Sequence, residues 1–375
     1  MSSKVFVGLS GGVDSSVTAA LLQKQGYDVT GVFMKNWAQD IPGFKCPWKE
    51  DYADAKRVAV QLKIPFKMYD FQTQYKQKVV DYMIAEYQAG RTPNPDIMCN
   101  QEVKFKLFLE TALEDGADLI ATGHYARVGQ NTKPKILSLS STLIGDQKSI
   151  FQLQQAVDGN KDQTYFLYRV RDEALAKTLF PLGGYTKPEV RKLAEQFGLA
   201  TAKKKESMGI CFVGKVGIKE FLQQYVETEP GDIVTTDGVV VGQHEGAIFY
   251  TIGQRHGLNV GGGLPYYVVG KDMQKNEVYV TTDLNDGALW QSNFTITDVH
   301  WINGQPSAEQ YARWNMQDGG LQVRTRHRSP LIHCQLTAAG GQVSITPQDE
   351  IRALTPGQSA VLYDGATCLG GGIIV

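Results

Sequence analysis

The chain opens on an unbroken apolar run, Val5-Phe6-Val7-Gly8-Leu9, the pattern of a parallel strand buried on both faces. A glycine–serine turn follows, and then Val17, Ala20 and Leu21 recur at helical spacing until Gly26 stops the helix. Asp28 to Met34 predicts a second strand. Ala55, Val58, Ala59 and Leu62 keep the spacing of a core-facing helix, and Ile64 to Tyr69 predicts a third strand. A helix around Val79 to Tyr87 leads into a loop from Gly90 to Asp96. Phe105, Phe108, Leu109 and Ala112 mark another amphipathic helix, and Asp118 to His124 reads as a strand ending in a ligand loop. Strands alternating with helices predict a doubly wound α/β sheet, whose ligands sit at the carboxyl ends of the strands.

Residues 130 to 160 are polar and weakly periodic, and the pattern assigns them no element. Thr186 and Glu189 form a capping box with Pro188 in the first turn. Val190, Leu193, Ala194 and Phe197 give that helix its apolar stripe, and Gly198 stops it. From about Gly231 the texture changes to short strands. Ile233 to Thr236 and Val239 to Val241 flank Asp237-Gly238, a hairpin signal, and Tyr266 to Val269 with Glu277 to Val280 reads as another pair. Further strands fall near Phe294 to Val299, Leu321 to Thr325, Leu331 to Leu336, Val343 to Thr346 and Ala360 to Tyr363. The expected organisation is an α/β domain over 1–205 with a helical region at about 130–200, a small β-rich domain over 206–278 and a β-barrel over 279–375.

Composition narrows the function. The formal net charge of −1 over 375 residues gives no global polycation. Local charge is less even: Lys161 to Lys205 holds ten Lys or Arg against five Asp or Glu, either a solvated face or an anion-binding surface. No apolar leader and no long apolar run appear, so the expected location is cytoplasmic, away from the membrane. The five cysteines, Cys46, Cys99, Cys211, Cys334 and Cys368, are widely spaced and contain no C-x-x-C, which speaks against a disulfide scaffold and a zinc ribbon.

Candidate chemistry starts at Ser10-Gly11-Gly12-Val13-Asp14-Ser15-Ser16. A strand, a glycine–serine turn and a helix form an anion cradle, with Asp14 expected at the helix N-cap. No G-x-x-x-x-G-K-[ST] is present. The segment resembles instead the PP-loop, S-G-G-x-D-S, of the ATP pyrophosphatases, which implies cleavage of ATP between the α and β phosphates and transfer of AMP to an oxygen. Cys99 precedes the helix carrying Phe105, with Asn100 as its expected cap. A thiol there has its thiolate favoured, and Asp96 is near enough to act as a base. The same residues also fit a plain turn with a capping aspartate. Cys211 follows the basic run Lys203-Lys204-Lys205, a setting that lowers a thiol pKa, yet beside Ile210 and Phe212 it reads equally as a small buried hydrophobe.

The order of Ser10–Ser16, Thr92-Pro93-Asn94-Pro95-Asp96-x-x-Cys99-Asn100, Lys104-Phe105, Thr122 to Arg127, Lys161 to Leu167, Gly209-Ile210-Cys211-Phe212, Tyr250 to Leu258 and Leu369 to Ile374 is similar to that of the bacterial tRNA-specific 2-thiouridylases. The resemblance covers nearly the whole chain. It implies that ATP with Mg²⁺ adenylates O2 of the wobble uridine of a tRNA, and that sulfur from a cysteine persulfide then displaces AMP to give 2-thiouridine. Gly8, Leu9, Ser10, Gly11, Gly12, Val13, Asp14 and Ser15 would hold the phosphates, and Met34 and Gly123 would line the adenine and ribose pocket. Cys211 would take sulfane sulfur from a persulfide donor protein; its terminal sulfur would attack C2, or Cys99 would attack the persulfide to free sulfide, and the two cysteines would finish as a disulfide. Asp96 would serve as general acid/base or orient the uracil with Asn94 and Pro95. Lys161, Asp162 and Gln163 would meet the anticodon stem-loop, with Arg326 and His327 as a second contact; the family often has Tyr at the latter position. Cys46, Cys334 and Cys368 are left as structural, and His124 as either a ligand-loop or a strand-end residue. Asp96, Cys99 and Cys211 would also suffice for an open iron–sulfur cluster, which their spacing does not support. Two other readings stay open: a PP-loop synthetase adenylating another substrate for amine attack, and a nucleotide-binding module with inert thiols.

Overall fold

A computed structural model describes residues 2–40, 42, 45–131, 150–205, 217–258, 260–261, 263–316 and 320–375. Strands β1 (Lys4–Gly8), β2 (Asp28–Lys35), β3 (Phe66–Asp70) and β4 (Leu119–Ala121) form a parallel sheet in the order β3-β2-β1-β4, which the short strand Thr178–Leu179 extends. The unbroken apolar run of β1 follows from its central place. Val5 and Val7 face a core shared with helices α1 (Val13–Lys24) and α2 (Trp48–Leu62), while Phe6 faces a second core with Val103, Phe108 and Ile120. Both faces are covered, as a doubly wound sheet requires.

Two helix starts differ from the sequence expectation. Gly12, in extended conformation (φ −91°, ψ 166°), is the N-cap of α1, and Asp14 lies inside the first turn. Its carboxylate is drawn to Lys187 Nζ (2.7 and 2.8 Å) instead of back to the helix amides. The second helix begins at Pro95, four residues before Cys99, because Asn94 Oδ1 accepts from Ile97 N (3.4 Å) and Pro95 supplies a ready-made helical φ. Cys99 therefore sits in the second turn, beyond the strongest reach of the dipole, where the helix widens into π-type turns over Cys99–Leu107. Asn100 is no cap; its side-chain amide donates to Phe166 O (3.0 Å).

The expected helical region does not begin at about 130: two strands, Arg127–Asn131 and Ile150–Gln154, stand there paired antiparallel, with 132–149 outside the described residues. Gln154 and Leu153 then pair with Thr367 and Cys368 in the last strand of the chain, so this hairpin joins the first domain to the last. The middle domain is a four-stranded sheet built from the two expected hairpins. Their parallel pairing, Glu277–Thr281 against Gly231–Thr235, leaves no mark in the sequence.

Six strands close the C-terminal barrel, its first strand, Phe294–Trp301, pairing with its last, Thr367–Ile374, through Ile296 and Ile374. Ile296, Leu336, Ile345, Leu362 and Ile374 fill it. The glycines of the last strand allow this closeness: a Cβ on Gly371 would fall onto the carbonyl oxygen of Ala360. Among the described residues no helix is long and apolar enough to cross a membrane.

Candidate active site

A cleft of about 480 Å³ opens at the carboxyl ends of β1, β2 and β4. One wall is the glycine–serine loop, which braces itself. Ser10 N donates to Ser15 Oγ (3.1 Å), and Ser15 Oγ and Ser16 Oγ both donate to Gly12 O (3.2 and 2.7 Å). Two glycines let the loop sit where it does. Gly11 (φ +76°) packs against the Asp51 carbonyl at the start of α2, and a Cβ on Gly123 would come within 2.7 Å of Ser15 N. An anion in the cleft meets the N-terminus of a twelve-residue helix.

The charge of the cleft is cationic. Asp14 accepts from Lys187 and from Tyr125 Oη (3.0 Å), and Asp51 accepts from Lys204 (2.8 Å), so ammonium groups offset both bordering carboxylates. Lys35, Lys104, Lys161, Lys205 and Arg328 also border the space. Such a lining attracts a polyphosphate or a phosphodiester backbone. Lys35 lies over the Trp48 ring at 4.6 Å, which gives the cleft an aromatic edge suited to a base.

The far wall comes from other elements. His124 Nδ1 bonds Thr122 Oγ1 (2.8 Å), and burial, aided by the nearby Lys104 charge, holds its imidazole well below its usual pKa and hence neutral. Gln163 Oε1 accepts from Tyr125 N (2.9 Å). The barrel contributes Arg328 and His327, whose ring lies 4.5 Å from that of Phe166; burial pushes this imidazole down to about 4.

Of the residues the sequence singled out, Gly8, Leu9, Ser10, Gly12, Val13, Asp14, Ser15, Met34, Gly123, Lys161, Gln163 and His327 border this cleft, with Gly11 behind them against α2. Others lie apart from it. Asp162 is only 2% exposed. It accepts from Ala156 N (3.0 Å), Thr164 Oγ1 (2.8 Å) and Arg324 Nη1 (3.2 Å), a buried tie between the first domain and the barrel. Arg326 Nη2 is bound to the middle domain and the barrel. Asp96 is half-buried in the first turn of its helix. Cys99 has no exposed surface and shares a core with Ile97, Val103 and Phe105. Cys211 lies outside the described residues. Among those described, no three His, Cys, Asp or Glu side chains are grouped to hold a metal.

Within the basic run the lysines part company: Lys204 bonds Asp51 and Asp54 (2.8 and 2.7 Å), while Lys205 borders the cleft. Lys187 was not singled out, though one signal was available. A lysine opening a capped helix stands against the dipole, and such a residue needs a carboxylate elsewhere. Cys46 borders the cleft, its Sγ donating to Trp37 O (3.7 Å), while burial pushes the Cys334 thiol up to about 12 and the Cys368 thiol higher still.

Comparison with known proteins agrees with this architecture. Residues 3–215 match the family described as tRNA methyl transferase HUP domain, 219–282 its PRC-barrel domain, and 291–374 the aminomethyltransferase beta-barrel domain. The tRNA-specific 2-thiouridylase MnmA of Enterococcus faecalis is 45% identical over 99% of this chain and 95% of its own length. That of Limosilactobacillus reuteri is 46% identical over the same shares. Among solved structures, an NMN synthetase from Francisella tularensis covers 55% of this chain and 66% of its own at 16% identity and a TM-score of 0.32, too slight a likeness to argue from. The chain belongs to the tRNA-specific 2-thiouridylase family.

Proposed function

We propose that this chain is a tRNA-uridine 2-sulfurtransferase that adenylates O2 of the wobble uridine with ATP and then replaces that oxygen with sulfur. The observation that carries the reading is a single cationic cleft in which the glycine–serine loop of the first domain faces His327 and Arg328 of the barrel. A nucleotide and a base from an RNA loop can meet there. A carbonyl oxygen of uracil is a poor leaving group, so it must first become a phosphoester. O2 attacks the α phosphorus of ATP, and pyrophosphate leaves. Gly8 to Ser15 hold the phosphates, and Met34 and Gly123 bound the adenosine. Since lysines already offset Asp14 and Asp51, Mg²⁺ would be held chiefly by phosphate oxygens and water; when bound, it neutralises charge on the departing pyrophosphate.

In the second half, a persulfide on Cys211, loaded by a donor protein, attacks C2 through its terminal sulfur, and AMP departs with O2. The thiolate of Cys99 then attacks Cys211 Sγ. The base leaves as 2-thiouridine, and the two cysteines are left as a disulfide that a reductant reopens. Asp96 acts as general acid/base or orients the uracil with Asn94 and Pro95, which requires the base to reach past the lining of the cleft to the start of the Cys99 helix. This chemistry fits a reducing cytoplasm. A wobble base lies in a single-stranded loop, so it can be splayed into the cleft at small cost.

The test is reconstitution with ATP, Mg²⁺, a persulfide donor and unmodified tRNA, followed by nucleoside mass analysis. The expected product carries sulfur in place of oxygen. A base heavier by one CH2 group would point to methyl transfer, an aminated base to an amine-attacking synthetase, and either would overturn the reading. Lys161 is assigned to the RNA backbone. Lys161→Ala should lower the slope of log Kd against log salt for tRNA by about 0.7–0.9; an unchanged slope removes that assignment.

A further inference from the structure

Thr92 stands two residues ahead of the Asn94 cap, and every polar group it has is held by another domain. Its N–H donates to Pro356 O (2.8 Å), its carbonyl accepts from Gln358 Nε2 (3.0 Å), and its hydroxyl bonds Thr251 Oγ1 (3.2 Å). Gly357 packs so closely that a Cβ there would lie 2.8 Å from Thr92 N. Arg326 ties the two clamping pieces to each other. Its Nη2 donates to Ile252 O (3.0 Å) in the middle domain and to Ala353 O (2.8 Å) and Thr355 Oγ1 (3.0 Å) in the barrel. Between this clamp and the helix lie Pro93 and Pro95, whose fixed φ angles leave few free torsions, so the placement of Thr92 sets that of Asp96 and Cys99.

We propose that Thr92 and Arg326 are positioning residues for sulfur transfer: the middle domain and the barrel together set the helix that carries Asp96 and Cys99. The inference rests on the sulfur-transfer role of Cys99, which thiolation by the unaltered enzyme tests separately.

The experiment measures full-length Arg326→Ala, Arg326→Lys, Thr92→Val and Thr251→Val at saturating ATP and tRNA. Arg326→Ala should slow thiolation about tenfold at saturating tRNA, while in Thr92→Val and Thr251→Val, at positions given no tRNA contact, tRNA-dependent pyrophosphate release, tRNA Kd and its salt slope should stay within about twofold. Arg326→Lys should recover most of the loss, because a single nitrogen of the guanidinium makes all these bonds. The two valine variants lose only a hydroxyl and should slow thiolation about threefold. They carry the test if Arg326→Ala does not fold. The proposal is overturned if thiolation at saturating tRNA stays at the wild-type rate, if pyrophosphate release falls in parallel, or if weaker tRNA binding accounts for the whole effect.

Discussion

Replacing Cys99 or Cys211 with serine should abolish 2-thiouridine formation, by at least about a thousandfold, and should leave tRNA-dependent pyrophosphate release near the wild-type rate. The expectation follows from the division of the reaction. The phosphate-binding loop contains neither thiol and Cys99 lies outside the lining of the cleft, so adenylation should survive their loss. Sulfur transfer cannot survive it, since serine neither carries a sulfane sulfur nor opens a persulfide. Cys99 has no exposed surface, and a hydroxyl placed there costs about 1–3 kcal/mol. Cys99→Ala separates that penalty from the loss of the nucleophile, and it should be equally inactive. A single turnover without reductant provides an independent count: free thiols should fall from five to three. Thiolation by Cys99→Ala, or five thiols remaining after turnover, would overturn the two-thiol mechanism.

How much of this was legible in the sequence depended on how local each determinant was. The strands of the sheet, the Asp237-Gly238 hairpin and the capped helix at Thr186 could all be read, because period, turn chemistry and caps act over a few residues. So could the nucleotide loop, whose glycine–serine pattern between strand and helix is local even though Gly11 makes its closest approach to Asp51 of α2. The start of the Cys99 helix was misplaced because two caps competed, and Asn94 with Pro95 defeated Asn100. Asp162 shows the other limit. In sequence it lies between Lys161 and Gln163, both of which border the cleft, but its own side chain turns to Arg324, 162 positions away. The hairpin at 127–154 was invisible for the same reason: its outer partner is the final strand of the barrel. Long-range pairing leaves no period in a short window.

Substituting Gly123 by alanine should weaken ATP binding about a hundredfold, equivalent to about 2.7 kcal/mol, without unfolding the chain. The new methyl would meet Ser15 N at 2.7 Å, the carbonyl carbon of Asp14 at 2.9 Å and Ser15 Cα at 3.1 Å. All three are backbone atoms of the first turn of α1, which cannot rotate aside as a side chain does. Either that turn moves away from β4 or β4 moves away from it, and both widen the phosphate cradle. Overpacking of this kind costs about 1–3 kcal/mol. The cost falls on the loop, because the sheet beneath it is held on both faces by separate cores. Gly8→Ala supplies the contrast. Its methyl would come nearest to the terminal carbon of Met34, at 2.9 Å, and that flexible end can swing aside. Gly8→Ala should therefore lose less than about tenfold in ATP affinity. Equal effects from the two variants, read by titration with a fluorescent ATP analogue, would show that crowding anywhere in the cleft matters and that the junction of β4 with α1 has no special role in shaping the cradle.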